Sequence, residues 1–148
     1  GGNNLGSQAN DKLSVLRDKH EYHCISYAIE KSLPIFGACR GMQIIAEYFG
    51  STFTRVKNHV GFRHKIKIVN ETNFSLFLEN IDEVNSFHDF AIDELADDLK
   101  SIAICSNDNT IEAFQHRDYR IFGQMWHPER ENPFNENNSQ LIVEIFNA

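Results

Sequence analysis

Nowhere in the chain do apolar residues run for the roughly 18 positions that a membrane-crossing helix needs, so no spanning helix is expected. Proline is scarce, at 3 residues in 148, which excludes a Pro-rich linker or a fibrous chain. Positive charge is also in deficit, with 14 Lys and Arg against 21 Asp and Glu and a net charge of −7. Nucleic acid is therefore not expected as the main partner, because phosphate binding needs a net basic face. The cysteines are few, odd in number and far apart: Cys24, Cys39 and Cys105. Such a set makes neither a paired disulfide framework nor a close-spaced zinc site, and a reducing, cytoplasmic setting is expected. His20 and His23 flank Glu21 but lack the further ligands that a metal needs. No Met opens the sequence either. Gly1-Gly2-Asn3-Asn4, followed by Gly6, Ser7 and Asn10, has the composition of a loop inside a domain. The expectation is that native residues precede Gly1 and supply at least one more central strand.

What is present reads as one globular domain over 1–148, with 41% hydrophobic and 24% charged residues and 12 Phe to build a core. Leu13, Leu16, Cys24, Tyr27 and Ala28 recur at roughly helical spacing and predict a helix from Asp11 to Lys31. Leu33 to Gly37 reads as a buried strand, apolar on both faces as in a parallel sheet. A tight bend at Gly37-Ala38-Cys39-Arg40-Gly41 follows, and then a short helix whose Met42, Ile45, Ala46 and Phe49 share a face, with Gly50 at its end. Phe62 to Val69 alternates as a half-exposed strand. An acidic stretch runs from Glu79 to Asp98. Three strands follow, at 102–105, 110–114 and 121–126, and Leu141, Ile142, Ile145 and Phe146 suit a closing helix. Alternating helices and strands favour an α/β sandwich.

Chemistry gathers at two places. Cys39 stands between two glycines at a strand-to-helix bend, where the backbone folds back sharply and pushes the side chain out of the sheet. Unpaired N–H groups at the helix start are expected to favour its thiolate, and that of Arg40 is placed to hold an oxyanion. Cys24 and Cys105 sit within apolar patterns and read as packing residues. A cysteine nucleophile wants a histidine base, and the base wants an orienting group. His127-Pro128-Glu129 supplies both at the end of an apolar strand, since residues i and i+2 of an extended segment face one side. His20, His23, His59, His64, His88 and His116 are rival bases on this reasoning.

These segments carry a resemblance. Pro34-Ile35-Phe36-Gly37-Ala38-Cys39-Arg40-Gly41-Met42-Gln43 resembles the nucleophile segment of class I glutamine amidotransferases, and Gly123 to Arg130 resembles their His-Pro-Glu segment. Gly1-Gly2, Arg17-Asp18-x-x-Glu21 and Asn85-Ser86-Phe87-His88 resemble the γ-glutamyl-γ-aminobutyrate hydrolase-like (peptidase C26) branch. The resemblance implies an α/β, flavodoxin-like three-layer sandwich with a mostly parallel central sheet, here without its first strands. It implies a triad of Cys39, His127 and Glu129, an oxyanion hole from the N–H groups of Gly2 and Arg40, and a glutamyl pocket touched by Gln43, Ser86, Phe87 and His88. For Gln43 a plain polar role at the helix start stays open, and for Arg17 and Glu21 a surface ion pair.

The implied function is hydrolysis of a γ-glutamyl amide through a cysteinyl thioester, with a small-molecule substrate and neither metal nor organic cofactor. Asp89-Phe90 stands where the family often has His-Gln, which leaves the leaving group undefined. Arg55, Lys57, Arg63, Lys65 and Lys67 cluster in an otherwise acidic chain and suit an anionic, nucleotide- or phosphate-bearing amine. Arg63, Lys65 and Lys67 also read as the solvent face of an edge strand. Two alternatives stay open. One is a glutaminase subunit passing ammonia to a synthase partner, and the other a non-catalytic binding domain. A homo-oligomer stays open as well.

Overall fold

The computed structural model describes residues 4–9 and 11–147. After the turn α1 (Gly6–Ala9), helix α2 spans Lys12–Glu30. Asp11 caps α2 by accepting from the N–H groups of Leu13 and Ser14, each at 3.1 Å, a contact worth about 1 kcal/mol. The helix lies where the spacing put it, yet it is rotated from the expected face. Leu13, Leu16 and Tyr27 stand exposed, while Ser14, Asp18 and Ile25 are buried. Asp18 sets that rotation through two inward bonds, described below.

Strand β1 (Ile35–Ala38) enters the Cys39 bend and α3 (Arg40–Tyr48) leaves it. Then come β2 (Phe53–Arg55), β3 (Val60–Ile68), β4 (Glu83–Phe87), β5 (Phe90–Ile92), β6 (Leu99–Cys105), β7 (Ile111–His116), β8 (Ile121–Gln124) and α4 (Glu136–Phe146). Six strands make one sheet in the order β1-β8-β7-β6-β3-β4, and β2 pairs with β5 apart from it.

The sheet is mixed, which corrects the mostly parallel expectation. Among the described pairings only β1 with β8 is parallel. The connections 106–110 and 117–120 are too short for a crossover, so β6, β7 and β8 must run up and down. Alternation along β8 then feeds two cores. Ile121 packs with Met42, Ile45 and Phe114 beneath α2 and α3, and Phe122 packs with Trp126, Leu141 and Ile145 beneath α4. Helices on both faces give the three-layer α/β sandwich.

Strand β3 lies between β6 and β4, so it is not an edge strand. His64 and Ile66 point inward as the alternation predicts, but Phe62 is 52% exposed. A bulge between Val60 and Phe62, with Gly61 at φ 76°, shifts the register there. No helix among the described residues is long and apolar enough to cross a membrane.

Candidate active site

Cys39 adopts φ 52° and ψ −109°, a left-handed strain of order 1–3 kcal/mol for a side-chain-bearing residue. Its N–H donates to the Gln124 carbonyl at 2.8 Å, which ties the bend to β8. Gly37 allows the fold-back: a Cβ there would lie 2.5 Å from the Gly41 oxygen and 2.6 Å from Ile45 Cδ1. Gly41 is different. A Cβ on it would meet nothing within 4 Å among the described residues, so close approach demands only the first of the two glycines.

The thiol corrects another expectation. Burial pushes the Cys39 pKa up, and the Arg40 N–H bonded to it offsets only part of that rise. Cys39 is 8% exposed, and loss of water outweighs the helix start. A resting thiol of this kind needs a base.

The parallel register sets His127 at the same end of the sheet as Cys39. Ala38 pairs with Gln124, so Cys39 and His127 both follow the carboxyl ends of the only parallel pair described. His127 is buried, and its Nδ1 lies 2.6 Å from Glu129 Oε1. With Nδ1–H donating to that carboxylate, Nε2 is the nitrogen free to exchange a proton. Burial pushes the Glu129 carboxyl up, but the His127 bond, a backbone N–H bond and nearby positive charge together outweigh it and the net shift is downward. Arg130 and Glu129 both act electrostatically on the Cys39 sulfur, the first lowering and the second raising its pKa.

Asn85 clamps His127 from behind. Its Oδ1 accepts from the His127 N–H at 3.0 Å, and its Nδ2 donates to the His127 carbonyl at 2.7 Å and to Glu131 at 2.6 Å. Phe87 meets the His127 ring edge-on at 6.0 Å, and the Arg130 guanidinium stacks 4.3 Å over Phe87. Strand alternation sends Ser86 the other way: it is fully buried and donates to the His59 carbonyl at 2.7 Å. His88 and Gln43 both bond the Phe90 carbonyl, each at 3.0 Å. The structure thus brings Phe87, His127 and Glu129 together, and gives Gln43, Ser86 and His88 other protein partners. Gly2 lies outside the described residues.

The Arg17-Asp18-x-x-Glu21 element does more than the helix-surface reading. Arg17 and Glu21 do pair at 2.8 Å. Asp18 and Glu21 also grip the buried Arg40 guanidinium, and Asp18 accepts from the Gly6 N–H at 2.6 Å. Helix α2 thereby anchors the residue whose N–H bonds the Cys39 sulfur. Sequence reasoning missed this tie and the Asn85 clamp. A signal for the tie was present, since Asp18 falls four residues after Ser14 on the stripe that continues to Ile25.

The basic patch is partly spent. Arg63 pairs with Glu83 and Glu131, and Lys67 bonds Asn109. Arg55 is 73% exposed, lies 3.7 Å from Asp89, and stacks 5.3 Å over Phe90. Lys57 lines a cavity of about 240 Å³ together with Phe62 and Asp108.

A family model for peptidase C26 matches residues 2–129. The chain is 42% identical over 146 residues to the γ-glutamyl-CDP-amidate hydrolase of Campylobacter jejuni, covering 99% of this chain and 66% of that protein. It is 32% identical over 141 residues to a glutamine amidotransferase-like protein of Lactococcus lactis, covering 84% of this chain and 59% of that one. The crystal structure of a glutamine amidotransferase from Thermotoga maritima shares the fold, with a TM-score of 0.71 at 21% identity over 97% of this chain and 58% of that one. The chain spans less than two thirds of the length of each.

Proposed function

This chain belongs to the peptidase C26 family, and on that premise we propose that it hydrolyses a γ-glutamyl amide whose leaving nitrogen carries a nucleotide or another phosphate-bearing group. The carrying observation is a strained, buried Cys39 following β1, with a His127–Glu129 pair following its parallel neighbour and Glu129 acting electrostatically on the Cys39 sulfur.

In this reading His127 Nε2 takes the thiol proton as Cys39 sulfur attacks the γ-carbonyl carbon. The carbonyl oxygen becomes an oxyanion held by the Arg40 N–H, with the Gly2 N–H as its partner. On collapse the C–N bond breaks, and His127 gives its proton to the departing nitrogen. His127 then takes a proton from water, whose hydroxide attacks the thioester and frees glutamate and the Cys39 thiol. Glu129 keeps Nδ1–H oriented and offsets the imidazolium charge that forms in each half-reaction.

Support for an anionic leaving group comes from the relative named for a CDP-amidate substrate, from Asp89-Phe90 in place of the more usual pair, and from the exposed Arg55 and Lys57 of the basic cluster. The substrate is a small molecule and the setting cytoplasmic in this reading.

The test is glutamate release by the native full-length protein from γ-glutamyl-CDP-amidate, γ-glutamyl-γ-aminobutyrate and glutamine. The proposal expects the first to be fastest, with kcat/KM falling as salt rises. Equal rates on the two phosphate-free amides, with no salt dependence, would remove the phosphate-bearing leaving group. Turnover of glutamine alone, appearing only with an added synthase, would favour the ammonia-delivering reading that the amidotransferase-like relative suggests.

A further inference from the structure

Behind β4, on the side away from His127, the chain gathers four groups that the reaction does not use. His59 lies just before β3, His64 on β3, His88 just after β4, and Glu112 on β7. They are 3%, 5%, 4% and 0% exposed, and one ligand atom from each falls within 4.8 Å of all the others. We propose that these residues form a closed, tetrahedral site for one divalent cation of the zinc class.

The distances argue for it. Glu112 Oε1 lies 3.8 Å from His59 Nδ1, 3.5 Å from His64 Nε2 and 3.6 Å from His88 Nε2. All three exceed the 2.7–3.2 Å that N–H···O bonds take. Ligands held about 2.0–2.2 Å from a tetrahedral zinc stand roughly 3.3–3.5 Å from one another, close to what is seen. The far ring nitrogens are fixed as metal-bound histidines require: His59 Nε2 on Asp108 at 2.8 Å and His88 Nδ1 on the Phe90 carbonyl at 3.0 Å. Each of those bonds turns the other nitrogen toward Glu112.

Satisfaction of polar groups points the same way. His64 Nδ1 and Nε2, His88 Nε2 and Glu112 Oε2 are buried without a hydrogen-bond partner. Buried polar atoms rarely stand alone; His64 Nδ1 lies on the far side of its ring, and the other three mark a common missing partner. Among the described residues, the groups within 4 Å of Glu112 that could carry positive charge are the three imidazoles. A divalent cation would offset that carboxylate and the Asp108 behind His59 together. Nitrogen and carboxylate donors suit zinc, and four protein ligands leave no open position, so the site is structural. It would fasten β7 to β3 and β4, the strand that carries Asn85 and Phe87 against His127. The chemistry at Cys39 stays metal-free.

Among the described residues one competing set exists, in which His59, Cys105 and Asp108 come together. Asp108 is half-exposed and already engaged by His59 and by Thr110, which makes the thiolate set the weaker one.

The test uses the native full-length protein. Elemental analysis after purification with zinc present should give about one zinc per chain. Chelation should lower Tm, and Tm should then climb with added zinc concentration, as linkage to the folded state requires. Cobalt in place of zinc should show the strong visible bands of a tetrahedral centre and no thiolate-to-metal charge transfer. Glu112→Gln and His64→Gln should lose the metal, and Cys105→Ser should keep it. Whether or not the buried variants fold, the zinc titration of the unsubstituted protein is decisive by itself. No uptake, with Tm indifferent to zinc and chelator, overturns the proposal. A thiolate band, or metal lost in Cys105→Ser, also overturns it and moves the site to Cys105.

Discussion

Removing the Asn85 side chain tests how the base is held. Asn85→Ala strips the acceptor from the His127 N–H, one donor bond from the His127 carbonyl, and another from Glu131. His127 is 1% exposed, so water cannot readily replace the two backbone partners. An orphaned buried group costs about 1–3 kcal/mol, which with partial relaxation gives roughly 2–4 kcal/mol for the variant. At a urea m-value near 2 kcal/mol/M that lowers the unfolding midpoint by about 1–2 M. The reaction should suffer separately. A base displaced by ~1 Å loses about 10²-fold in rate, so kcat should fall by that order even in urea-free buffer where the variant is folded. Asn85→Asp should fare no better, because it keeps only the acceptor and places a carboxylate against Glu131. Urea unfolding and initial rates on the same preparations provide both readings. An unchanged midpoint together with an unchanged kcat would refute the clamp.

The buried thiol should be slow to alkylate at neutral pH, with exposed Cys24 modified first and the Cys39 rate still climbing above pH 9, as mass mapping after iodoacetamide would show. Gly37→Ala should disrupt the bend because its Cβ meets the Gly41 oxygen, whereas Gly41→Ala should leave stability unchanged or raise it by about 0.5–1 kcal/mol, as urea midpoints would reveal. The folded-state pKa of Glu129 lies below its ordinary value, so its bond to His127 stabilises the fold fully above the ordinary carboxylate range and fades as pH falls through the lowered value. The stability gap between the unsubstituted protein and Glu129→Gln should therefore be flat near neutrality and shrink in acid; a gap independent of pH would contradict the assignment.

Local signals were legible in the sequence and distant ones were not. The Asp11 cap, the Cys39 bend and the α3 stripe each occupy a few adjacent residues, so propensity and spacing reach them. The short strands β4 and β5 lay hidden in an acidic stretch, where β4 keeps only its inner residues apolar or satisfied by distant partners. The rotation of α2 depends on Arg40, 22 positions after Asp18, and a helical pattern cannot report such a pairing. The Cys39 thiol was misread because local geometry shows the helix start but not the burial that outweighs it. His64 and Glu112 come from two strands and His59 and His88 from two loops, and the one ligand-like spacing among them, His59-x4-His64, brings in neither His88 nor Glu112. Only folding assembles them.

The central claim, covalent catalysis by Cys39, is tested most directly by trapping its intermediate. The native full-length protein would be mixed with a γ-glutamyl substrate, quenched in acid within the first turnovers, and its peptides mapped by mass. The account predicts a glutamyl acyl group on Cys39, absent from Cys24 and Cys105, and no turnover in Cys39→Ala. Sustained glutamate release by Cys39→Ala, or an acyl group found only at another residue, would contradict it.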